Sequence, residues 1–141
     1  MSESKTFVAN RGVAHPWECD VMGHLTTRFY VAMFDDASYH FLNAVFGVTP
    51  GNADGLGWAD VKMVIDYHAE VAAGDLLEVR AQVARLGGKS VTCVYEMHNL
   101  TRDETAATLE VITVLFDLEA RRAAAFNDTL RERAAAWLPT D

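Results

Sequence analysis

The chain has 141 residues, half of them hydrophobic and 23% charged, a balance typical of one folded domain. Its 20 acidic residues outnumber its 12 lysines and arginines, and the resulting net charge of −8 argues against a nucleic-acid-binding surface. Two distant cysteines do not form a disulfide framework, and no apolar run has the length of a signal-peptide core or a membrane span. We therefore expect one domain over residues 1–141, in the cytoplasm, with neither a membrane nor a nucleic acid as partner.

The first predicted elements are a weak strand over residues 6–14 and then a long helix. Apolar residues occur on most sides of segment 29–46, which is typical of a helix buried nearly all round. Its polar residues recur at spacings of three, four and seven and so form one narrow stripe: Arg28, Asp35, Asp36, Tyr39 and Asn43. Gly47, followed by Pro50, predicts the end of the helix.

After a loop at 47–57 the apolar period changes from 3.6 residues to 2, which predicts strands. The four segments of this kind cover residues 61–71, 77–83, 91–97 and 105–118. Gly87 and Gly88 predict a tight hairpin between the second and the third. The fourth is apolar on both faces, as expected inside a sheet, and residues 126–137 predict a short amphipathic helix.

This order of elements predicts an α+β architecture, a curved antiparallel sheet wrapped around one long helix. Such a sheet buries one of its faces and most of the helix together. It also leaves sheet edges open and one stripe of the helix uncovered. Pairing of two copies would cover both surfaces.

The segment D-V-M-G-H-L-T-T-R-F-Y at residues 20–30 resembles the hotdog-fold acyl-CoA thioesterases of the 4-hydroxybenzoyl-CoA thioesterase type. The matching residues are Asp20, Gly23, His24, Leu25 and Tyr30. A strand ending I-D-Y, a G-D before the next strand and a G-K-S before another also fall where that family has them, so the resemblance covers about residues 7–120. The chain departs from the pattern at Thr26, followed by Thr27, where the family often has Asn.

The resemblance implies the hotdog fold and hydrolysis of an acyl-CoA thioester to a free acid and coenzyme A, with no cofactor. In that family the acid matching Asp20 is nucleophile or general base, and the backbone N–H at the position of Thr27 is the oxyanion donor. The resemblance also implies a homodimer with active sites between subunits, sometimes paired again into a homotetramer.

The chemistry of thioester hydrolysis is consistent with these residues. A thioester carbonyl needs an attacking oxygen on one side and hydrogen-bond donors for the charge that develops on its own oxygen. A helix beginning at about 26–28 offers free N–H groups, and no acid occupies its first turn. Gly23 would let the loop turn so that Asp20 points towards the helix. Asp20 alone, however, is also typical of a turn or cap residue.

The remaining candidates concern substrate binding. His24 is expected to orient the loop or to contact the substrate, and an ordinary surface or loop-stabilising imidazole is the alternative. Thr26 can cap the helix or donate a hydrogen bond. Tyr30 is either a pocket wall or a core aromatic. The sequence also resembles a subgroup that includes betainyl-CoA thioesterases, so Trp17, Trp58 and Tyr30 are candidates for cation–π contact with a quaternary ammonium.

Coenzyme A carries several phosphate charges, which an acidic protein must meet with a local group of cations. The candidates lie in the turn at 85–90 and after the last long strand: Lys89 and Arg121, together with Arg85 and Arg122. For each of them, ordinary solubilising charge is the alternative.

The residues also bear on several other functions. R-L-G-G-K-S at 85–90 lacks the first glycine of a phosphate-binding loop, and the histidines show no zinc spacing, so neither a nucleotide triphosphatase nor a metal site is predicted. A Cys19 nucleophile lacks a defined partner set, and this cysteine could simply pack. Asp35 or Asp36 is an alternative acid on the helix, although the pair is more typical of a solvated or interfacial polar stripe. A hotdog dehydratase would need an acid–histidine pair, for which Asp60 and His68 are poor candidates within an alternating strand. A non-hydrolytic acyl-CoA binding module is the main alternative.

Overall fold

The computed structural model describes residues 4–48 and 55–140 of the chain. The elements within these residues are β1 Phe7–Val13, a 3-10 turn Pro16–Glu18, α1 Thr27–Phe46, β2 Leu56–Tyr67, β3 Leu76–Leu86, β4 Ser90–Asn99, β5 Glu104–Asp117, β6 Arg122–Ala123 and α2 Asp128–Ala135. One antiparallel sheet, in the strand order β1-β3-β4-β5-β2, packs against the 20-residue helix α1. The short strand β6 pairs with the end of β5. The predicted α+β hotdog architecture is confirmed.

Helix α1 begins and ends where its sequence signals predict. Thr26 is the N-cap residue in extended conformation, and Gly47 ends the helix in the left-handed region at φ 70°. The Gly47 N–H donates to Asn43 O at 2.8 Å, and Arg133 Nη1 of α2 donates to Phe46 O at 2.7 Å. The C-terminal end of α1 is therefore capped from within the chain. Pro50, the other predicted stop signal, lies outside the described residues.

The core forms where the aromatic face of α1 meets one face of the sheet. Phe34, Phe41 and Phe46 are fully buried, and the ring of Phe41 makes edge contacts with Tyr95 and Trp137 at centroid distances of 5.9 and 5.6 Å. The inward residues of β3 and β4 alternate as predicted: Leu77, Val79, Ala81, Val83, Val91, Cys93, Tyr95 and Met97. Burial of this continuous apolar surface fixes the position of the helix on the sheet.

The opposite face of α1 is exposed, so the prediction of a helix buried nearly all round is wrong for the single chain. The sheet covers only one side of the helix. The exposed residues include the predicted polar stripe and also Ala32, His40 and Ala44.

Strand β2 forms one edge of the sheet and differs most from its prediction. It begins at Leu56 and ends at Tyr67, whereas the alternation predicted residues 61–71. A register shift between Asp60 and Lys62 interrupts its pairing with β5, and all residues from 60 to 64 are exposed. The edge therefore presents apolar side chains to solvent: Val61 is 62% exposed, Met63 40% and Val64 43%.

The hairpin at Gly87-Gly88, the inner strand β5 and helix α2 all form where they were predicted. The two-residue strand β6 and the 3-10 turn were not predicted. Within the described part of the chain, no helix is long and apolar enough to cross a membrane.

Candidate active site

Residues 19–25, here called the Asp20 loop, are held by the Asp20 carboxylate. Its Oδ1 accepts hydrogen bonds from the N–H groups of Met22 at 2.9 Å and His24 at 3.2 Å. The backbone closes the same turn, because Asp20 N–H donates to His24 O at 2.8 Å and Gly23 N–H donates to Asp20 O at 3.0 Å. Gly23 has φ 78°, in the left-handed region that favours glycine. Within the described residues no hydrogen bond engages Oδ2, so one carboxylate oxygen is available for chemistry.

The first turn of α1 carries free hydrogen-bond donors. No acidic residue lies in that turn, and the Thr26 side chain makes no cap hydrogen bond. Thr27 and Arg28 are both exposed, and within residues 4–48 and 55–140 no acceptor pairs with their backbone N–H groups. The Thr26 hydroxyl is buried without a described partner. These donors, together with the positive end of the helix dipole, favour an anionic oxygen at this point.

A cavity of about 380 Å³ opens beside this helix end. It brings together three of the residues selected from the sequence, His24, Thr27 and Tyr30. Asp20 is not among the residues that line it and is connected to it through its hydrogen bond to His24 N–H. The other lining residues are Leu25, Tyr67, His68, Ala69, Glu70 and Val71.

Three of the polar or aromatic lining residues, Tyr67, His68 and Glu70, were not selected from the sequence as catalytic or substrate-binding residues. His24 Nε2 lies 3.2 Å from Glu70 Oε2, and the Tyr30 and Tyr67 rings meet edge to face at 5.1 Å. Burial, with smaller effects of Tyr67 and Glu70, raises the pKa of Tyr30 above its usual value, so its hydroxyl stays protonated near neutral pH. His68, which follows the end of β2, accepts from or donates to Thr108 Oγ1 at 2.9 Å. The cavity therefore combines proton donors and acceptors with an aromatic wall.

Comparison with known proteins agrees with this fold. The family model described as the thioesterase-like superfamily matches residues 14–134, most of the chain. The chain belongs to the thioesterase-like superfamily. It is thus a thioester hydrolase, and the resemblance stated from the sequence is confirmed.

Three solved structures illustrate the shared fold of this superfamily. A Staphylococcus aureus hypothetical protein in complex with CoA has a TM-score of 0.84 and 17% identity over 100% of this chain and 89% of that one. A probable thioesterase from Escherichia coli has a TM-score of 0.81 and 21% identity over 93% and 98%. A 1,4-dihydroxy-2-naphthoyl-CoA thioesterase from Synechocystis has a TM-score of 0.77 and 18% identity over 93% and 96%. Among curated proteins, no match to this sequence was found.

The structure does not bring the two selected tryptophans of this thioesterase to Tyr30. Trp17 is 72% exposed and stacks on His15 at 4.3 Å. Trp58 lies at the other end of β2, where it packs on Phe46 and Phe126. One chain therefore provides no cage made of Trp17, Trp58 and Tyr30.

The cations selected for the CoA phosphates also lie far from the Asp20 loop. Arg85 and Lys89 are exposed at the β3–β4 turn, and Arg121 and Arg122 are exposed after β5. Strand β3 starts next to the Asp20 loop and ends at this turn, and its 11 residues span roughly 35 Å at about 3.3 Å per residue. Within one chain, the acid and these cations lie at opposite ends of the sheet.

The alternative catalytic residues Cys19 and Asp35 do not line the cavity at the start of α1. Cys19 Sγ donates to His15 O at 3.4 Å, and burial, with the charge of Asp20, raises its thiol pKa, which disfavours a thiolate nucleophile. Asp35 lines a separate cavity of about 310 Å³ with Trp58 and Asp60, and burial, with Asp60 and Asp36, raises its pKa. In the described residues no group of three or more His, Cys, Asp or Glu side chains is arranged to hold a metal ion.

The acid–histidine pair of the dehydratase alternative is widely separated. Asp60 lies within β2 and accepts a hydrogen bond from the Thr113 hydroxyl at 2.8 Å. His68 lies just beyond the end of that strand, so it is a loop residue rather than the strand residue that the alternation predicted. Eight residues of extended chain place the two roughly 25 Å apart. They do not act on one substrate atom within a subunit.

Proposed function

We propose that this thioesterase hydrolyses an acyl-CoA thioester to a free acid and coenzyme A, with the Asp20 carboxylate as nucleophile or general base. The observation that carries the proposal is that three features lie together. The Asp20 carboxylate accepts a hydrogen bond from His24 N–H, the first amide groups of α1 are unpaired, and one cavity is lined by both His24 and Thr27. These are the parts that an acyl transfer needs.

In the proposed reaction the thioester oxygen accepts a hydrogen bond from the Thr27 N–H. Asp20 Oδ2 then either attacks the carbonyl carbon, giving an anhydride that water hydrolyses, or removes a proton from the attacking water. In both cases the carbon–sulfur bond breaks and CoA leaves as the thiol or thiolate. Loss of one oxyanion donor costs about a hundred- to a thousandfold in rate. All of these groups belong to the protein, so the reaction requires no cofactor.

His24 has a supporting role in this proposal. Its backbone N–H holds Asp20 Oδ1, and its ring, paired with Glu70, forms part of the cavity wall. Tyr30, in edge-to-face contact with Tyr67, contributes aromatic surface to the same cavity. We place Gly23 and Thr26 in the same site as residues that shape the loop and the helix end.

We further propose that two chains pair antiparallel through their β2 edges. The bare apolar edge at 60–64 would be covered by such pairing, and exposed Tyr39 lies on the uncovered face of the neighbouring helix. Pairing centred on these residues places the Trp58 end of one β2 beside the Tyr67 end of the other.

This dimer would complete each site from two chains. The partner's cations, which lie at the far end of its own sheet, would approach the Asp20 loop of the first chain, and Arg121 and Lys89 are our candidates for binding the CoA phosphates. The partner's Trp58 would approach Tyr30. An acyl group with a quaternary ammonium, as in betainyl-CoA, would then meet two aromatic rings across the interface. The resemblance leaves open whether two such dimers pair again into a tetramer.

The test is a thiol-release assay over a panel of acyl-CoAs with short aliphatic, aromatic and trimethylammonium-bearing acyl groups. In Asp20→Asn the amide oxygen still accepts the Met22 and His24 N–H groups, so the loop is kept while the charge is lost. We expect turnover to fall about a hundred- to ten-thousandfold, the usual effect of removing a general base, with binding little changed.

Asp117→Asn is the matched control. Asp117 Oδ1 also accepts two loop amides, those of Glu119 and Ala120 at 2.9 Å, but it lies at the opposite end of its own sheet. Because its turn carries Arg121, the comparison is made on kcat at saturating acyl-CoA and not on KM. Turnover of this variant should equal that of the parent. An Asp20→Asn enzyme that releases thiol at the parent rate would refute the role of Asp20.

A second candidate mechanism follows from the two hydrogen bonds that already engage Asp20. They allow a purely structural role for this acid, in which case the hydrolase would use the helix acid Asp35. Hydrolysis lost in Asp35→Asn but retained in Asp20→Asn would support the helix acid.

A further inference from the structure

A buried carboxylate lies behind the Asp20 loop, immediately before β3. Asp75 is only 6% exposed, and its Oδ2 accepts three hydrogen bonds: from Ala72 N–H at 2.9 Å, Asn99 Nδ2 at 2.9 Å and Arg102 Nε at 3.0 Å. A buried charge is costly unless it is paired and hydrogen-bonded in this way. The arrangement therefore fixes the position of Asp75 relative to two other segments.

Asn99 connects this carboxylate to the β4–β5 turn. It is fully buried, and its Oδ1 accepts the N–H groups of Thr101 at 3.0 Å and Arg102 at 3.1 Å. The Arg102 side chain is half exposed. The set of Asp75, Asn99 and Arg102 thus connects the start of β3 to the end of β4 and to the β4–β5 turn.

Residues 71–75, here called the Asp75 turn, contact the Asp20 loop through two backbone hydrogen bonds. Leu25 N–H donates to Val71 O at 2.8 Å and Ala73 N–H donates to Gly23 O at 3.2 Å, and these two bonds make His24 and Ala72 an antiparallel bridge pair. Ala72 is also the residue whose N–H binds Asp75 Oδ2. One short path of hydrogen bonds therefore runs from the sheet through Asp75 to the residues that hold Asp20.

We propose that Asp75, supported by Asn99 and Arg102, is a positioning residue for Asp20. It fixes the Asp75 turn, and that turn sets the distance between the Asp20 carboxylate and the first amides of α1. This inference rests on the proposed function, in which Asp20 acts on the thioester. Misplacement of a reacting group by about 1 Å is enough to cost about a hundredfold in rate.

The test compares Asp75→Asn with Glu78→Gln. Glu78 is a matched control because it is 7% exposed, lies on β3, the strand that Asp75 precedes, and is paired with Arg80 at 2.9 Å and Arg11 at 3.1 Å. None of its contacts within the described residues reaches the Asp20 loop. Two properties are measured for each variant: the kcat and KM of thiol release, and hydrogen exchange at the amides of Met22 and His24.

We expect Asp75→Asn to lower kcat about 10- to 100-fold with KM little changed, and to speed exchange at both loop amides. Glu78→Gln should change neither property. Arg102→Met removes one donor at a half-exposed position, so it should fold and shift both properties in the same direction by less. It keeps the inference testable if Asp75→Asn fails to fold.

The possible failures are distinguishable. Unchanged exchange and unchanged kcat in the Asp75 and Arg102 variants overturn the positioning role, while thiol release by the parent still supports the proposed function. Equal effects of Glu78→Gln also overturn it, since a general loss of stability then explains the result. Faster exchange with unchanged kcat overturns it as well and additionally contradicts the catalytic role of Asp20.

Discussion

The exposed edge of β2 leads to a prediction about assembly and activity together. Val61 and Met63 are 62% and 40% exposed in the single chain. We expect the double substitution Val61→Lys and Met63→Lys to prevent pairing of two chains, because it replaces apolar surface with charges that repel across a two-fold axis. If the active site is built from two chains, the variant should also lose most of its thiol-release activity.

The magnitude follows from the exposure of the two side chains. Full burial of a valine or methionine side chain contributes about 1.5–3 kcal/mol, and about half of each side chain remains to be buried, so each contributes about 1 kcal/mol to pairing. A dimer contains two copies of each, which gives about 4 kcal/mol, or roughly a thousandfold increase in the dissociation constant. Charge repulsion adds to this increase.

Analytical ultracentrifugation over a range of protein concentrations measures the dissociation constant, and thiol release is measured at the same concentrations. Val8→Lys is the control, since Val8 is 45% exposed on β1, the other edge of the sheet. It should leave both properties unchanged. A double variant that stays dimeric, or a monomer as active as the parent, would refute this reasoning.

Three further predictions concern stability. Phe41→Ala should lower the free energy of unfolding by about 3–5 kcal/mol in urea titrations, because its ring is fully buried among Tyr95 and Trp137; a loss below 1 kcal/mol would mean that the core closes over the gap. Gly23→Ala should cost about 1–2 kcal/mol from backbone strain at φ 78°, since nothing lies within 4 Å of the added Cβ, and an unchanged urea midpoint would contradict this. Burial tends to raise the pKa of Asp75, but the hydrogen bonds from Asn99, Ala72 and Arg102 outweigh burial, and the pKa in the folded state is lowered. The stabilising effect of this carboxylate is therefore complete above its unfolded pKa of about 3.9, and it is lost as the pH falls through the pKa of the folded state. The stability difference between the parent and Asp75→Asn should therefore be constant from pH 5 to 8 and narrow below about pH 4; a difference that widens on acidification would show the opposite sign.

The sequence predicts the elements whose signal is local. Helix α1 begins at Thr27, where the apolar run with its helical period predicts it, although the Thr26 side chain makes no cap hydrogen bond, and β3 and β4 follow an alternation around Gly87. The end of β2 could not be predicted, since alternation continues through Val71. That residue is buried against the Asp20 loop by tertiary contacts, not by strand pairing. A two-residue strand such as β6 is too short to show any period.

The candidate site also contains some residues that the sequence could predict and others that it could not. His24, Thr27 and Tyr30 could be selected from one short segment, and the structure places them on one cavity. Glu70 joins them only through folding, because no local pattern indicates that the end of β2 returns to the start of α1. Residue type alone was also a poor guide to location for Trp17 and Trp58, which lie in unrelated surroundings.

The Asp20 loop and the basic turns lie at opposite ends of β3, and this separation has a consequence for complementation between inactive variants. If each chain gives its acid to one site and its cations to the other, two inactive variants damaged at opposite ends would complement each other when co-expressed. A hybrid of Asp20→Asn with a chain lacking Lys89 and Arg121 would regain one intact site of its two. Chains that each worked alone would show no such rescue.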